Sequence, residues 1–440
     1  MRYTRGQAAL WILSYLVLAA LPVFIAYAGS VPDARGFWIE FGVALGFIGL
    51  AMMGLQFILT GRFSRIAGTL GLDSMLQFHR QIGLVAFFMI LAHPVILILA
   101  DSQYLAFFDP RENLPRAFAL VAVVGALVLL TITTLWRTAL GIPYEWWRVG
   151  HGVLALFIVF VGVVHILQVS YYVSELWKQA IWVLATGAAM AMLINTRVIR
   201  PWQMSSRPYR VTEVREEWGD SWTLRFEPEG HQGLRFEPGQ FGWLVLGESP
   251  WSLNQHPFSF SSSAEQTDAI ELTIKELGDF TNTIGQTEPG STAFIEGPFG
   301  AFVPDESPAR GMVCIAGGVG ITPIMSMLRT LADRSDERPI RLIYGNATRN
   351  DILFYEDLEA LRSRLNLTII YVLSRPDEGW DGIEGRLTPD VIGPYLPIGS
   401  GDSREYFVCG PEGMMDVVEP YLTERGVPLS DIYAERFQIV

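Results

Sequence analysis

Residues 77–100 read QFHRQIGLVAFFMILAHPVILILA, and residues 149–171 read VGHGVLALFIVFVGVVHILQVSY. Each stretch is apolar over the roughly 20 residues needed to cross a hydrocarbon core. Each also carries two histidines 14 residues apart, His79 and His93 in the first, His151 and His165 in the second. Fourteen residues turn an α-helix through about 1400°, only about 40° short of four turns, so both members of a pair leave from nearly one face. They are separated by roughly 21 Å along the axis. One further apolar stretch lies between the two, so the helices run in the same direction, and His79 is level with His151 as His93 is with His165. Ionisable groups inside a membrane are costly and usually functional. Facing imidazoles at two depths describe two bis-histidine b-type haem sites better than two satisfied polar pairs. The distance between the levels excludes a single four-ligand zinc site. On the same faces, Gly83, Ala86, Ala155 and Gly162 supply positions without bulk, as a flat porphyrin requires. Arg80 and Arg148 flank the inner ligands, either as partners for haem propionates or as ordinary flanking charge. Phe87, Phe88 and Phe157 lie between the two levels, either as a bridge for electrons or as plain packing.

Outward from these helices, apolar stretches of spanning length occupy residues 8–28, 37–60, 77–100, 117–136, 149–171 and 179–196, which predicts six membrane helices over a first domain of residues 1–200. The first follows Arg2 and Arg5 but has no small-residue cleavage site ahead of a soluble domain, so it reads as a retained helix. Arginines set the sidedness. Arg2 and Arg5, Arg62 and Arg65, Arg137 and Arg148, and Arg197 and Arg200 fall at alternate ends, and the intervening loops carry less excess positive charge. By the positive-inside rule both termini and everything after residue 200 face the cytoplasm, the expected membrane being a bacterial inner membrane.

Charge divides the chain in the same place. Residues 1–200 carry a net +5 and residues 201–440 a net −18, which together make the overall −13. An acidic soluble half argues against nucleic acid as a partner. The two cysteines, Cys314 and Cys409, have no metal-type spacing and fit a reducing compartment. From Tyr209 to about Phe302, short alternating strands punctuated by Gly and Pro predict a small antiparallel barrel, assigned to residues 201–306. From about Gly311, apolar strands alternate with helical stretches, which predicts a parallel α/β domain over residues 307–440. That domain opens with Cys314-Ile-Ala-Gly-Gly-Val-Gly-Ile-Thr-Pro323. A strand ends there, and Gly317, Gly318 and Gly320 lead into a helix whose bare amides suit a pyrophosphate.

These motifs carry a resemblance. The soluble half resembles the ferredoxin–NADP reductase superfamily. The chain from about residue 37 to residue 440 resembles the NADPH oxidase and ferric reductase superfamily, which joins a six-helix di-haem domain to such a reductase module. His256-Pro257-Phe258-Ser259 is similar to that family's flavin motif, with Phe258 against the isoalloxazine and Ser259 reaching its N5; soluble reductases usually have arginine in place of His256. Gly278-Asp-Phe-Thr281 is similar to the segment that holds the FAD pyrophosphate, with Thr281 as its hydroxyl donor, and the resemblance includes Lys275 just before it. Glu296-Gly-Pro-Phe-Gly300 is similar to the barrel-closing turn. Ala316–Pro323, with Thr322 and Pro323 closing it, resembles the nucleotide's phosphate loop. Cys409-Gly410-Pro411 is similar to the signature that sets a cysteine beside the nicotinamide. Ser374 and Arg375 stand where NADPH-using relatives hold the 2′-phosphate, a pair that some NADH-using relatives share, so the donor is NADPH or NADH. Phe437 stands near the C-terminal flavin-stacking aromatic of the family, or is a packed core residue.

The resemblance implies an oxidoreductase that moves electrons from NAD(P)H through FAD and two haems to an extracytoplasmic acceptor such as oxygen or ferric iron. Two other readings stay open: an electron donor to a periplasmic redox partner, and a haem-binding membrane sensor.

Overall fold

The computed structural model describes residues 5–59, 61, 72–247, 249–305, 310–398 and 404–436. The chain divides into a helical unit, of residues 5–63 and 75–200, and a second unit formed mainly by the chain from Pro201 onward.

Six long helices build the first unit: α1 (Arg5–Ala26), α2 (Phe37–Leu59), α3 (Leu72–Ala100), α4 (Leu114–Leu135), α5 (Tyr144–Val169) and α6 (Leu176–Ile194). All six are long and apolar enough to cross a membrane. Their outer faces carry exposed Leu10, Phe24, Leu99, Phe118, Val153 and Leu184, an apolar surface that water would not tolerate and lipid tails do. Several helices begin before the apolar stretch does, because polar and proline residues make their first turns. Asn113 caps α4 by accepting from the Arg116 amide, Pro115 sits in that helix's first turn, and Pro143 precedes α5. Helix α5 stops where Ser170 adopts a left-handed conformation, and a π-turn at Asn195–Ile199 carries α6 into Arg200–Ser205.

Close approach of α2 to α3 depends on a glycine stripe. A Cβ at Gly42 would lie 3.2 Å from Leu97, at Gly46 2.8 Å from the His93 ring, and at Gly49 2.8 Å from Ile90. Small residues four apart are the usual means by which membrane helices pack without a hydrophobic driving force.

The second unit holds two sheets. Strands β1 (Tyr209–Glu217), β2 (Ser221–Pro228), β3 (Phe241–Leu246), β4 (His256–Ser259), β5 (Ile270–Lys275) and β6 (Thr292–Phe299) form an antiparallel sheet in the order β4-β3-β6-β1-β2-β5. A bridge from Phe260 to Leu272 joins its two edges around a core of Val211, Leu224, Phe226, Leu244, Phe260 and Leu272. The segment Glu296–Phe299, expected as a turn, is the end of β6: Glu296 pairs with Trp243 and Phe299 with Phe241 across a register shift in β3.

The other sheet is wholly parallel. It contains β7 (Gly311–Gly317), β8 (Ile340–Asn346), β9 (Leu367–Leu373), β10 (Ile383–Glu384), β11 (Arg404–Cys409) and β12 (Ile432–Glu435), in the order β10-β9-β8-β7-β11-β12. Helices α7 (Ile321–Asp333), α8 (Tyr355–Leu361) and α9 (Glu412–Glu424) cover its faces. Strand order reverses between β7 and β11, and open α/β sheets bind ligands at that crevice.

Candidate functional site

Three clusters of the residues singled out in the sequence come together. The first is the histidine ladder. The rings of His79 on α3 and His151 on α5 lie 6.1 Å apart, centre to centre. Two metal–nitrogen bonds of about 2 Å and two half-rings of about 1.1 Å add to roughly 6 Å, so one iron fits between these rings. Nδ1 of His79 is buried without a hydrogen-bond partner among the described residues, and Nδ1 of His151 meets the Thr134 hydroxyl at 3.2 Å. At the other level His93 and His165 line one cavity of about 190 Å³ with Leu50, Ile90, Val124 and Ile158. His93 donates from Nδ1 to the Gly42 carbonyl at 2.8 Å, which leaves its Nε2 unprotonated for a metal. Phe107, from the 3₁₀ turn Ser102–Phe108, sets its edge against His165 under the Arg116 guanidinium. Among the described residues no three His, Cys, Asp or Glu side chains converge, so the imidazoles are available in pairs. The donor set fits bis-histidine haem.

Two details of the membrane half differ from expectation. Phe88 is 64% exposed on the outside of the bundle, because nine residues after His79 is about half a turn out of phase. Phe157 is likewise exposed, so at the depth between the histidine levels neither ring packs inside the bundle; Phe87 packs on the core. Of the small residues, a Cβ at Gly83 would meet nothing, whereas one at Gly162 would lie 2.8 Å from Leu50. Gly83 faces open space; Gly162 makes room for a neighbouring side chain. Ala86 is wholly buried and Ala155 packs on the same core.

The second cluster lies on the antiparallel sheet. Strand β4 pairs with β3, Phe258 opposite Gly242 and Pro257 opposite Trp243. The His256 ring stacks on Phe280 at 4.1 Å and 22°, and Phe258 lies 6.2 Å from the same ring at 20°. The segments 256–259 and 278–281 are therefore adjacent, with Lys275 ending the intervening β5. Ser259 Oγ, at the end of the same strand, is buried with no hydrogen-bond partner among the described residues, an unmet donor. Space above Gly278 is open. These residues fit a flavin. The Thr281 hydroxyl, expected as a donor to the flavin pyrophosphate, works within its own turn here. It accepts from the Leu277 and Gly278 amides at 2.9 Å and donates to the Gly278 carbonyl at 3.2 Å. Phe280 is the residue that the sequence reading passed over, although it stands inside the quoted motif.

The third cluster sits at the reversal of the parallel sheet, where the ends of β7 and β11 touch. A Cβ at Gly320 would lie 2.2 Å from the Cys409 carbonyl oxygen, and one at Gly317 2.8 Å from Pro411. Gly318 has φ +53° and open space beyond it. Two of the three glycines thus serve the packing of the turn on Cys409-Gly410-Pro411, and Gly318 faces the opening. Thr322 donates to the Val319 carbonyl at 3.0 Å and, with Pro323, is buried beneath the turn. The Tyr344 hydroxyl donates to the Gly318 carbonyl at 3.1 Å. Helix α7 starts directly behind the turn, its Ile321 amide bonded to the Gly318 and Val319 carbonyls, and a turn of glycine amides at a helix N-terminus fits a pyrophosphate. Ser374 and Arg375 follow β9, their amides bonded to Asn346 and Ala347, and the Arg375 side chain is exposed. Phe437 lies outside the described residues.

Comparison with known proteins finds a family match in each of the three parts of the chain. Residues 45–162 match the family described as ferric reductase like transmembrane component, residues 219–302 an FAD-binding domain, and residues 314–419 an oxidoreductase NAD-binding domain. The glycine betaine monooxygenase reductase subunit of Chromohalobacter salexigens is 29% identical over 250 residues, 55% of this chain and 67% of its own length. A probable dihydroorotate dehydrogenase B electron transfer subunit of Methanopyrus kandleri is 32% identical over 221 residues, 50% of this chain and 76% of its own length. A flavohemoglobin structure from Malassezia yamatoensis is similar in fold, with TM-score 0.50 and 16% identity over 96% of this chain and 99% of that one. The chain spans about half to two thirds of the length of several curated relatives. Fold and site define a membrane oxidoreductase with an FAD- and NAD-binding reductase module. The chain belongs to the NADPH oxidase and ferric reductase superfamily.

Proposed function

We propose that the chain carries electrons from cytoplasmic NADPH or NADH, by way of FAD and two b-type haems, to an acceptor such as oxygen or ferric iron on the far side of the membrane. The observation that carries this reading is the 6.1 Å separation of the His79 and His151 rings. Bound FAD takes up a hydride's two electrons together and releases them singly, whereas haem iron accepts one at a time. His256, Phe258 and Phe280 form the surface that would hold the flavin ring, and the Ser259 hydroxyl supplies a donor to it. The Gly317–Gly320 amides would hold the nicotinamide nucleotide's pyrophosphate, with Ser374 and Arg375 toward its adenosine end. Cys409 ends β11 beneath that turn, where it supports the nicotinamide side of the crevice. His79 with His151, and His93 with His165, would each hold one haem, whose iron would pass electrons on without itself binding the acceptor. Arginine placement supports, by the positive-inside rule, a reductase module in the cytoplasm and the loop 101–116 outside.

Stopped-flow spectroscopy of the purified protein with FAD and either nucleotide tests this reading. Flavin bleaching followed by a rise in reduced haem absorbance, reversed by oxygen or ferric citrate, is the expected sequence. Haem that stays oxidised while flavin is reduced would overturn it and favour a haem-binding sensor; haem reduction unrelieved by either acceptor would favour a periplasmic redox partner.

A further inference from the structure

Helix α7 begins at the glycine turn, and the segment 260–265 begins where the flavin motif ends. One face of α7 is bonded to that segment along its length. The Ser326 hydroxyl donates to the Ser262 carbonyl at 2.7 Å. The Arg329 guanidinium donates to the Ser261 carbonyl at 2.9 Å and to Glu271 at 3.2 Å. The Ala264 amide donates to the Thr330 hydroxyl at 2.9 Å, and Arg334 pairs with Glu265 at 2.6 Å. Positions 326, 329, 330 and 334 share one side of a helix, so a continuous polar stripe faces the barrel. Ser261, Ser262, Ser326 and Thr330 are all buried, where an unmatched polar group is costly, so the seam has one register. Arg329 reaches a third element as well: its other nitrogen donates to Asp357 at 2.9 Å, and the guanidinium lies 5.1 Å over the Phe354 ring. A second contact between the same two sheets lies further out, where Trp218 stacks on Tyr355 at 5.9 Å and 7°.

We propose that this seam sets the register of nicotinamide on flavin, and that Arg329 is its positioning residue. Ser261 is only two positions beyond Ser259, and Ser326 six positions beyond Gly320. A shift of the seam is therefore passed directly to both ring sites. Hydride transfer depends steeply on that distance, and a displacement of about 1 Å is enough to cost about 100-fold. Nucleotide binding at the Gly317–Gly320 amides does not depend on the barrel, so the seam governs the rate of reduction rather than affinity.

The inference rests on the reading that the module reduces FAD with NAD(P)H. If the wild-type protein fails to bleach its flavin, that reading falls. If the wild type does so, the full-length variants R329Q and R329K and the double variant S326A/T330A test the seam. Three quantities are measured: flavin reduction rate at saturating nucleotide, oxidised-nucleotide affinity by flavin fluorescence, and hydrogen exchange of amides 261–265. R329Q is expected to slow reduction at least tenfold, leave affinity within twofold and raise exchange at Ala264. R329K is expected to recover part of the rate, and S326A/T330A to repeat the pattern if R329Q does not fold. Unchanged reduction with raised exchange in either variant, or a loss confined to affinity, overturns the proposal.

Discussion

His93 on α3 donates its Nδ1 proton to the backbone carbonyl of Gly42 on α2 at 2.8 Å, and the ring passes where a Cβ of Gly46 would be, at 2.8 Å. One helix therefore orients an imidazole on another, fixing which nitrogen stays unprotonated. A glycine is required one turn below that carbonyl, because any side chain would push the ring aside.

The Gly46→Val variant is expected to lose the outer haem alone. Measured by pyridine haemochrome, the content should fall from about two haems per chain to about one, with the His79 and His151 site intact. Two haems retained in G46V would show that this contact does not govern the ligand.

Lys178 is fully buried at the start of α6, where its ammonium donates to the Ala26 and Ser30 carbonyls at 3.2 and 3.3 Å and pairs with Glu175 at 3.1 Å. Ala26 ends α1, so the cation also meets the negative end of that helix. Lys178→Met leaves two carbonyls without a donor, at a cost of roughly 2 kcal/mol. A thermal melt in detergent should show a drop of several degrees, with haem content per folded chain unchanged. A melt equal to wild type would contradict this role.

The glycines of the nucleotide turn should separate by function. Gly320→Ala drives a Cβ to 2.2 Å from the Cys409 carbonyl and is expected to destabilise the α/β domain by about 3 kcal/mol. Gly318→Ala meets only open space but holds φ at +53°, a strain of about 1 kcal/mol. G318A should therefore fold, retain FAD and lose nucleotide affinity, read by flavin fluorescence on titration. Equal behaviour of the two variants would contradict the division of labour.

How much of this was legible in the sequence depends on whether the signal is local. The 14-residue spacing in α3 and α5 is a property of one helix at a time, and it foretells the 6.1 Å pairing of His79 with His151. Strand alternation and the glycine turn are equally local. The Gly42-x-x-x-Gly46 step was also present, as a small-xxx-small pattern, but its purpose belongs to a neighbouring helix and shows only when α3 is in place. Phe88 illustrates the converse: adjacency in sequence put it between the histidine levels, and helical phase turned it outward. The Thr281 hydroxyl was legible as a donor but not the turn that occupies it. The polar stripe on α7 reads as a solvent face until the segment 261–265 is seen to cover it.

Alkaline pH should weaken the α/β domain. Burial pushes the Cys314 thiol and the Tyr344 phenol up, the thiol with a smaller push from Glu405. A group raised in the folded state contributes stability that is complete below its unfolded pKa, about 8.5 for a thiol and about 10 for a phenol, and is lost as pH rises through the folded value. The melting temperature should fall above about pH 8.5, and Cys314→Ala should flatten the first part of that fall. An identical slope in C314A would contradict the assignment.

The central claim concerns two levels of paired imidazoles. Its most direct measurement is the haem content and low-spin electron paramagnetic resonance of the purified wild-type protein beside His79→Ala, His151→Ala, His93→Ala and His165→Ala. Two haems are expected in the wild type and one in each variant, with H79A and H151A losing one resonance and H93A and H165A the other. A wild-type protein without a Soret band, or four variants that each keep both haems, would contradict it.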